Sequence, residues 1–256
     1  MPGNEETVIK FFVESLQNNK KINLPVLGNL NEVFMPVKDG KKIINQTSEL
    51  INFSSNDRYK KADVYLNNYG VSLKEESAPL YNKIQRKHLP DLINYLFPNK
   101  SNLISDIFSK LDNEIEKVNK GSKRDIQWNK IFSEDEFLIF LEFLMMKGYA
   151  DTKVSSHQAD LILIAPKKIS FENLDKIKVF SFKDYFETYK NKIVIAARRI
   201  WIGNKSKSEN NRALSMIKHQ DNQKWIYKNI SGKPDNWDTS YPSENRREIF
   251  YLNLNT

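Results

Sequence analysis

The stretch of residues 60–76, KKADVYLNNYGVSLKEE, constrains the fold more than any other. Two short runs alternate apolar and polar side chains and are separated by a pair of asparagines. Successive side chains of a strand point to opposite faces, and Asn favours chain reversal. The stretch therefore predicts a hairpin that turns over Asn67, Asn68 and Tyr69 ahead of Gly70. Ala62, Val64, Leu66, Val71 and Leu73 then share a buried face. Asp63 and Tyr65 project from the other, and Ser72, Lys74 and Glu76 project beside them. Pairing the strands brings Asp63 near Ser72 and Lys74 at a common edge.

An exposed Asp–Lys pair on a hairpin is an ordinary ion pair that contributes only ~0–1 kcal/mol. Here both charges sit inside apolar runs, which points instead to a site. An aspartate and a lysine so placed suit metal-assisted hydrolysis of a phosphodiester. Mg²⁺ takes carboxylate, carbonyl and water oxygens and keeps part of its hydration shell. Asp63 would bridge metal and phosphate, and the Leu73 carbonyl would complete the protein ligands. Lys74 would orient or deprotonate the attacking water, acting as a base only if its pKa is lowered.

With Asp63 on one strand and Ser72, Leu73 and Lys74 on the next, the segment resembles the PD-(D/E)xK nuclease superfamily, specifically its type II restriction endonucleases. Asn82, Gln85 and Arg86, on a helix expected to follow, complete the resemblance. It implies an α/β fold of the restriction-endonuclease-like kind, a mixed central sheet flanked by helices. It also implies Mg²⁺ dependence and cleavage of double-stranded DNA at a short sequence. Ala62 stands where the pattern usually has proline. Ser72 stands where it has Asp or Glu, so the second metal-binding carboxylate must come from elsewhere, as in related enzymes with S-x-K. Glu49 and Glu76 are the favoured replacements, ahead of Asp91.

The remaining pattern is mixed α/β. An amphipathic helix is expected over 5–17, where Val8, Phe11, Phe12 and Leu16 share a face, and a short helix over 47–53. Residues 79–97 read as a helix kinked near Pro90, and a second helix follows over 101–118. Ser133 and Glu136 form a capping box for a helix that ends at Gly148. Residues 159–165 read as a buried strand, 182–190 as a helix and 192–202 as a strand. The basic stretch 119–125 serves as a linker, giving a catalytic core over 1–118 and a basic, aromatic-rich part over 119–256 that completes the sheet. The two parts are also compatible with one continuous domain.

A net charge of +8 suits a polyanionic partner, although lysine-rich composition alone produces such a balance. Lys83, Arg86 and Lys87 are candidate phosphate contacts on the expected helix. Arg198, Arg199, Trp201, Lys205, Lys207, Asn210, Asn211 and Arg212 form a second candidate DNA-binding group, since Arg reads guanine and Asn reads adenine in the major groove. His88, His157 and His219 have no zinc-ligand spacing and read as surface or packed residues. Asp160, with Lys167 and Lys168 beyond it, reads as part of a core strand. Absence of cysteine excludes disulfides and thiolate catalysis, and suits a cytoplasmic protein. The apolar run 137–146 is about half the ~20 residues that span a bilayer. The expected partners are double-stranded DNA, a second copy in a homodimer and, in the same system, a cognate DNA methyltransferase. A repair or mobile-element nuclease and a non-catalytic DNA- or RNA-binding protein are the competing readings.

Overall fold

The computed structural model describes residues 4–53, 60–75, 80–119, 125–199 and 248–254. In chain order they form α1 (Asn4–Gln17), β1 (Asn23–Leu24), β2 (Gly28–Asn29), β3 (Val33–Val37), β4 (Gly40–Ile43), a 3-10 helix at Thr47–Phe53, β5 (Val64–Leu66) and β6 (Tyr69–Lys74). There follow β7 (Tyr81–Gln85), α2 (Leu89–Leu96), α3 (Leu103–Asn119), β8 (Asp125–Gln127) and α4 (Glu134–Glu142), which continues as a π-turn over Phe143–Lys147. The described chain ends with β9 (Leu161–Ile164), β10 (Lys178–Ser181), α5 (Phe182–Tyr189), β11 (Ile193–Arg199) and β12 (Glu248–Leu254). Among these elements no helix is long and apolar enough to cross a membrane.

The elements group into two compact units, each drawn from two stretches of chain. Described residues up to Leu80 and from Leu138 to Lys192 make the first, and those from Tyr81 to Phe137 and from Ile193 onward the second. Each unit thus combines chain from both sides of the division expected at residue 118.

A six-stranded mixed sheet in the order β10-β9-β6-β5-β3-β4 forms the first unit. All its neighbours are antiparallel except β6 and β9, which run parallel. On one face Val64, Leu66, Val71, Leu73, Leu161, Leu163 and Val179 join Val8, Ile9, Phe12 and Val13 of α1 in a single buried cluster. This is the alternation expected of the 62–74 hairpin and the helical spacing expected of 5–17. Ser72, Ile162 and Ile164 project from the opposite face, where Phe180 of β10 meets Tyr185 of α5 edge-on. Helices therefore flank the sheet on both faces.

The hairpin turn is tighter than expected. Asn67 and Asn68 alone make it, Asn67 with φ of 54°, and Tyr69 already pairs with Leu66. Gly70 has a separate task. A Cβ there would lie 2.6 Å from the Gln158 carbonyl oxygen, so only glycine lets the chain before β9 approach β6. Asp160 completes that junction by accepting the Gly70 N–H at 2.7 Å.

In the second unit a four-stranded antiparallel sheet, β7-β12-β11-β8, accompanies α2 and α3. Residues 79–97 do not form one helix. Tyr81–Gln85 is a strand because β12 supplies its backbone partner, with Phe250 opposite Ile84. A 3-10 turn at Arg86–His88 leads into α2, and Pro90 lies in the first turn of α2, where its missing N–H costs nothing. The capping box forms as expected: Ser133 N–H donates to Glu136 Oε2 at 3.0 Å, and Glu136 N–H to Ser133 Oγ at 3.3 Å.

Arg86 is not a surface phosphate contact. It is buried, its guanidinium meets Asp112 at 2.7 Å and it stacks on the Phe108 ring. Arg86→Ala is expected to lower unfolding stability by about 2–3 kcal/mol, since it strips a half-buried carboxylate of its partner. Chemical denaturation measures this. A phosphate contact would leave stability unchanged.

Candidate active site

Asp63 stands one residue ahead of β5. Its N–H donates to the Val71 carbonyl at 2.9 Å, which extends the ladder toward Ser72. Its carboxylate then takes the role of a backbone acceptor: Oδ2 receives the Leu73 N–H at 2.7 Å. In an extended strand the N–H and C=O of one residue face the same side, so the Leu73 carbonyl is also turned toward Asp63. Carboxylate and carbonyl are thereby held together by backbone geometry.

The chain leading into Asp63 is fastened from behind by the segment that follows α4. Lys61 N–H meets Ser155 Oγ at 3.0 Å and the His157 carbonyl at 2.8 Å, and Ala62 N–H shares that carbonyl. Tyr149 donates its hydroxyl to the Lys60 carbonyl at 2.7 Å. His157 is buried, with Nε2 2.8 Å from the Val37 carbonyl and Nδ1 3.0 Å from the Tyr65 hydroxyl. A carbonyl only accepts, so Nε2 carries the proton, and in the neutral ring Nδ1 accepts from Tyr65. His157 is thus a packed residue that locks the face on which Lys74 lies.

Three lysines act on Asp63. Burial raises its carboxyl pKa, while Lys74, the Leu73 N–H, Lys60 and Lys61 oppose the rise in that order. Among the described residues Lys74 forms no closed ion pair with Asp63, so the simple salt bridge is not what the hairpin builds. The charge of Asp63 acts in turn on Glu5, exposed in the first turn of α1 with its carboxyl turned into a partly desolvated place. Its carboxyl is raised first by desolvation and then by the negative charge of Asp63, with Lys74 and Lys60 pulling it back and Glu75 adding to the rise. Two carboxyls that are both raised by desolvation, one of them also by the charge of the other, form with the lysines around them a site with demand for positive charge.

Lys61 is the most perturbed cation. Burial, then the charge of Lys74, lowers its amine to about 7 against the pull of Asp63. Its Nζ donates to the Leu144 carbonyl at 2.6 Å and lies 3.9 Å from the centre of the Tyr149 ring.

The other expected site residues fall differently. Ser72 is buried in β6 opposite Ile162. Glu49 does not turn to Asp63: its Oε1 accepts the N–H groups of Asn45 and Gln46, both at 3.1 Å, and its Oε2 faces Lys42. It caps its own 3-10 helix, and Glu5 is the carboxylate on which the charge of Asp63 acts. Asn82, Lys83 and Gln85 are on strand β7 of the second unit, with Lys87 exposed just beyond; Asp91 is exposed on α2. Arg198 and Arg199 end β11, opposite Ile249 and Glu248. Glu76, Trp201, Lys205, Lys207, Asn210, Asn211 and Arg212 lie outside the described residues. Glu5, Lys60, Lys61 and Tyr149 carry no sequence signal of a site. An acid in the first turn of a helix is ordinarily a partner of the helix dipole.

Mg²⁺ is the ion that the resemblance implies. Among the described residues no three Asp, Glu or His side chains gather as a metal cluster. The donors on hand are the Asp63 and Glu5 carboxylates and the Leu73 carbonyl. That hard, sparse, all-oxygen set fits a cation that retains several waters.

No family model, curated protein or solved structure matches this chain.

Proposed function

We propose that the protein is a Mg²⁺-dependent endonuclease that hydrolyses double-stranded DNA at a short specific sequence, in the manner of a type II restriction enzyme. The observation that carries this reading is Asp63, locked through Oδ2 to the Leu73 N–H, with Lys74 beyond it on the adjacent strand and Glu5 within the reach of its charge. The mixed sheet with helices on both faces supports the restriction-endonuclease-like fold.

Asp63, Glu5 and the Leu73 carbonyl would hold the ion, which when bound supplies Lewis acidity and a more acidic water. Asp63 and Glu5 set its place at the end of the strands. Lys74 orients the attacking water and offsets charge gathering on the phosphate. Lys61, whose amine burial lowers to about 7, adjusts the charge around Asp63 by titrating near physiological pH. A second copy of the chain accounts for cutting both strands of a two-fold symmetric sequence. A methyltransferase gene beside this one would mark a restriction system.

Digestion of a mixed-sequence plasmid with and without Mg²⁺ tests the proposal. Discrete Mg²⁺-dependent fragments are expected. A smear would point to a nuclease without site specificity, and intact DNA with every divalent ion tried would overturn catalysis in favour of a binding protein.

The acid side of the pH profile adds a second test. The ion needs both carboxylates ionised, and the carboxyls of Asp63 and Glu5 are both raised. Cleavage should therefore fall, as pH is lowered, from a higher pH than unperturbed carboxylates give. The profile of kcat/KM measures this, and in Glu5→Gln the limb should report Asp63 alone.

A further inference from the structure

The geometry points to a second phosphate-binding site, on the β9–β10 flank of the same sheet, formed by Lys178 with Lys167 and Lys168. It rests on the nuclease reading only in taking Lys74 as the lysine beside the scissile phosphate. Lys74 of β6 pairs with Ile164 of β9, and Ile164 pairs with Lys178 of β10. Residues in one cross-strand row point to the same face. Their neighbours confirm which face: Leu73, Leu163 and Val179 all enter the cluster under α1, so Lys74, Ile164 and Lys178 are turned the other way.

Two strand spacings separate Lys74 from Lys178, about 10 Å between their backbones. That equals the axial rise of about three nucleotides on one DNA strand. A strand whose scissile phosphate lies at Lys74 and which runs across the sheet end would present another phosphate to Lys178. Lys167 and Lys168 follow Ile164 beyond the same end of β9. All three lysines are exposed, and among the described residues none forms an ion pair. The β9–β10 connection also carries Lys176, and against these four lysines stand only Glu172 and Asp175.

β10 is an edge strand, and an edge lysine can serve simply to block pairing with another sheet. The two roles separate by experiment. Full-length protein, Lys178→Arg and the triple variant Lys167→Ala/Lys178→Ala/Lys168→Ala are titrated with duplex DNA of unrelated sequence, with Ca²⁺ in place of Mg²⁺, over a range of salt. Loss of each contact should reduce the log–log salt slope by about 0.9, so the triple variant should lose about 2 to 3. Lys178→Arg should keep the wild-type slope, and the thermal midpoint of the triple variant should match wild type.

An unchanged slope in the triple variant overturns the site, and self-association of that variant with unchanged slope assigns Lys178 to edge protection. Loss of slope with single-stranded RNA but not duplex DNA overturns the duplex assignment. A reduced slope in a protein that never cleaves DNA upholds the site while the nuclease reading falls. Sequence-specific cleavage with an unmoved slope does the reverse.

Discussion

Asp63→Asn is expected to reduce Mg²⁺-dependent cleavage to background without unfolding the protein. Asparagine keeps an oxygen at the place where Oδ2 accepts the Leu73 N–H, so the junction between β5 and β6 survives. What disappears is the negative charge that would hold the metal. Removing that charge should also raise the stability of the metal-free protein at neutral pH. A carboxyl whose pKa is higher in the folded than in the unfolded state makes the fold more stable as pH falls and less stable once ionised. Asparagine removes that opposing contribution. Urea unfolding at neutral pH should show Asp63→Asn at least as stable as wild type, and duplex binding in Ca²⁺-free buffer should be retained. Wild-type cleavage in this variant would dismiss Asp63 as the centre of the site. Lys74→Ala should lose about 10²–10⁴-fold in the cleavage step, the usual contribution of a positioned proton-transfer group.

The hairpin was legible because alternation and turn chemistry are local. Val64, Leu66, Val71 and Leu73 read as one face from their spacing alone, and Asn67 from its tolerance of positive φ. The capping box of Ser133 and Glu136 was legible for the same reason, since partner and donor lie three residues apart. Tyr81–Gln85 was not. Its apolar residues fit a helix as well as a strand, and the choice is made by pairing with β12, more than 160 residues later. The position of Arg86 is hidden for the same reason, since its burial depends on Asp112 and Phe108 of α3. Lys61 lies two residues before Asp63 in the same stretch, yet its lowered pKa depends on burial at Leu144 and Tyr149, contributed by chain about 80 residues away. Local rules locate the Asp63–Lys74 edge; the groups that tune it arrive through tertiary contacts.

Glu5 is the sharpest case, and it carries the second large expected effect. By the resemblance Ser72 leaves the site one carboxylate short, and the replacements that the sequence favours are Glu49, on the helix just ahead of the hairpin, and Glu76, which lies outside the described residues. Glu49 instead binds the N–H groups of Asn45 and Gln46, which a carboxylate shared with a metal would have to release. Glu5 has no such engagement with its own helix start among the described contacts, and the charges that act on it are those of the site: Asp63, Lys74, Lys60 and Glu75. Glu5→Gln is therefore expected to slow cleavage by about 10²–10³-fold, the several kcal/mol of charge stabilisation that a well-held metal supplies. Raising Mg²⁺ should recover part of the rate, because Asp63 and the Leu73 carbonyl still offer a weakened site. Glu49→Gln should leave the rate within about twofold of wild type and at most lower thermal stability by the ~1 kcal/mol of a helix cap. Cleavage rates of both variants over a series of Mg²⁺ concentrations decide the matter. A silent Glu5→Gln beside an inactive Glu49→Gln would return the second carboxylate to the 3-10 helix and leave α1 with a purely structural role.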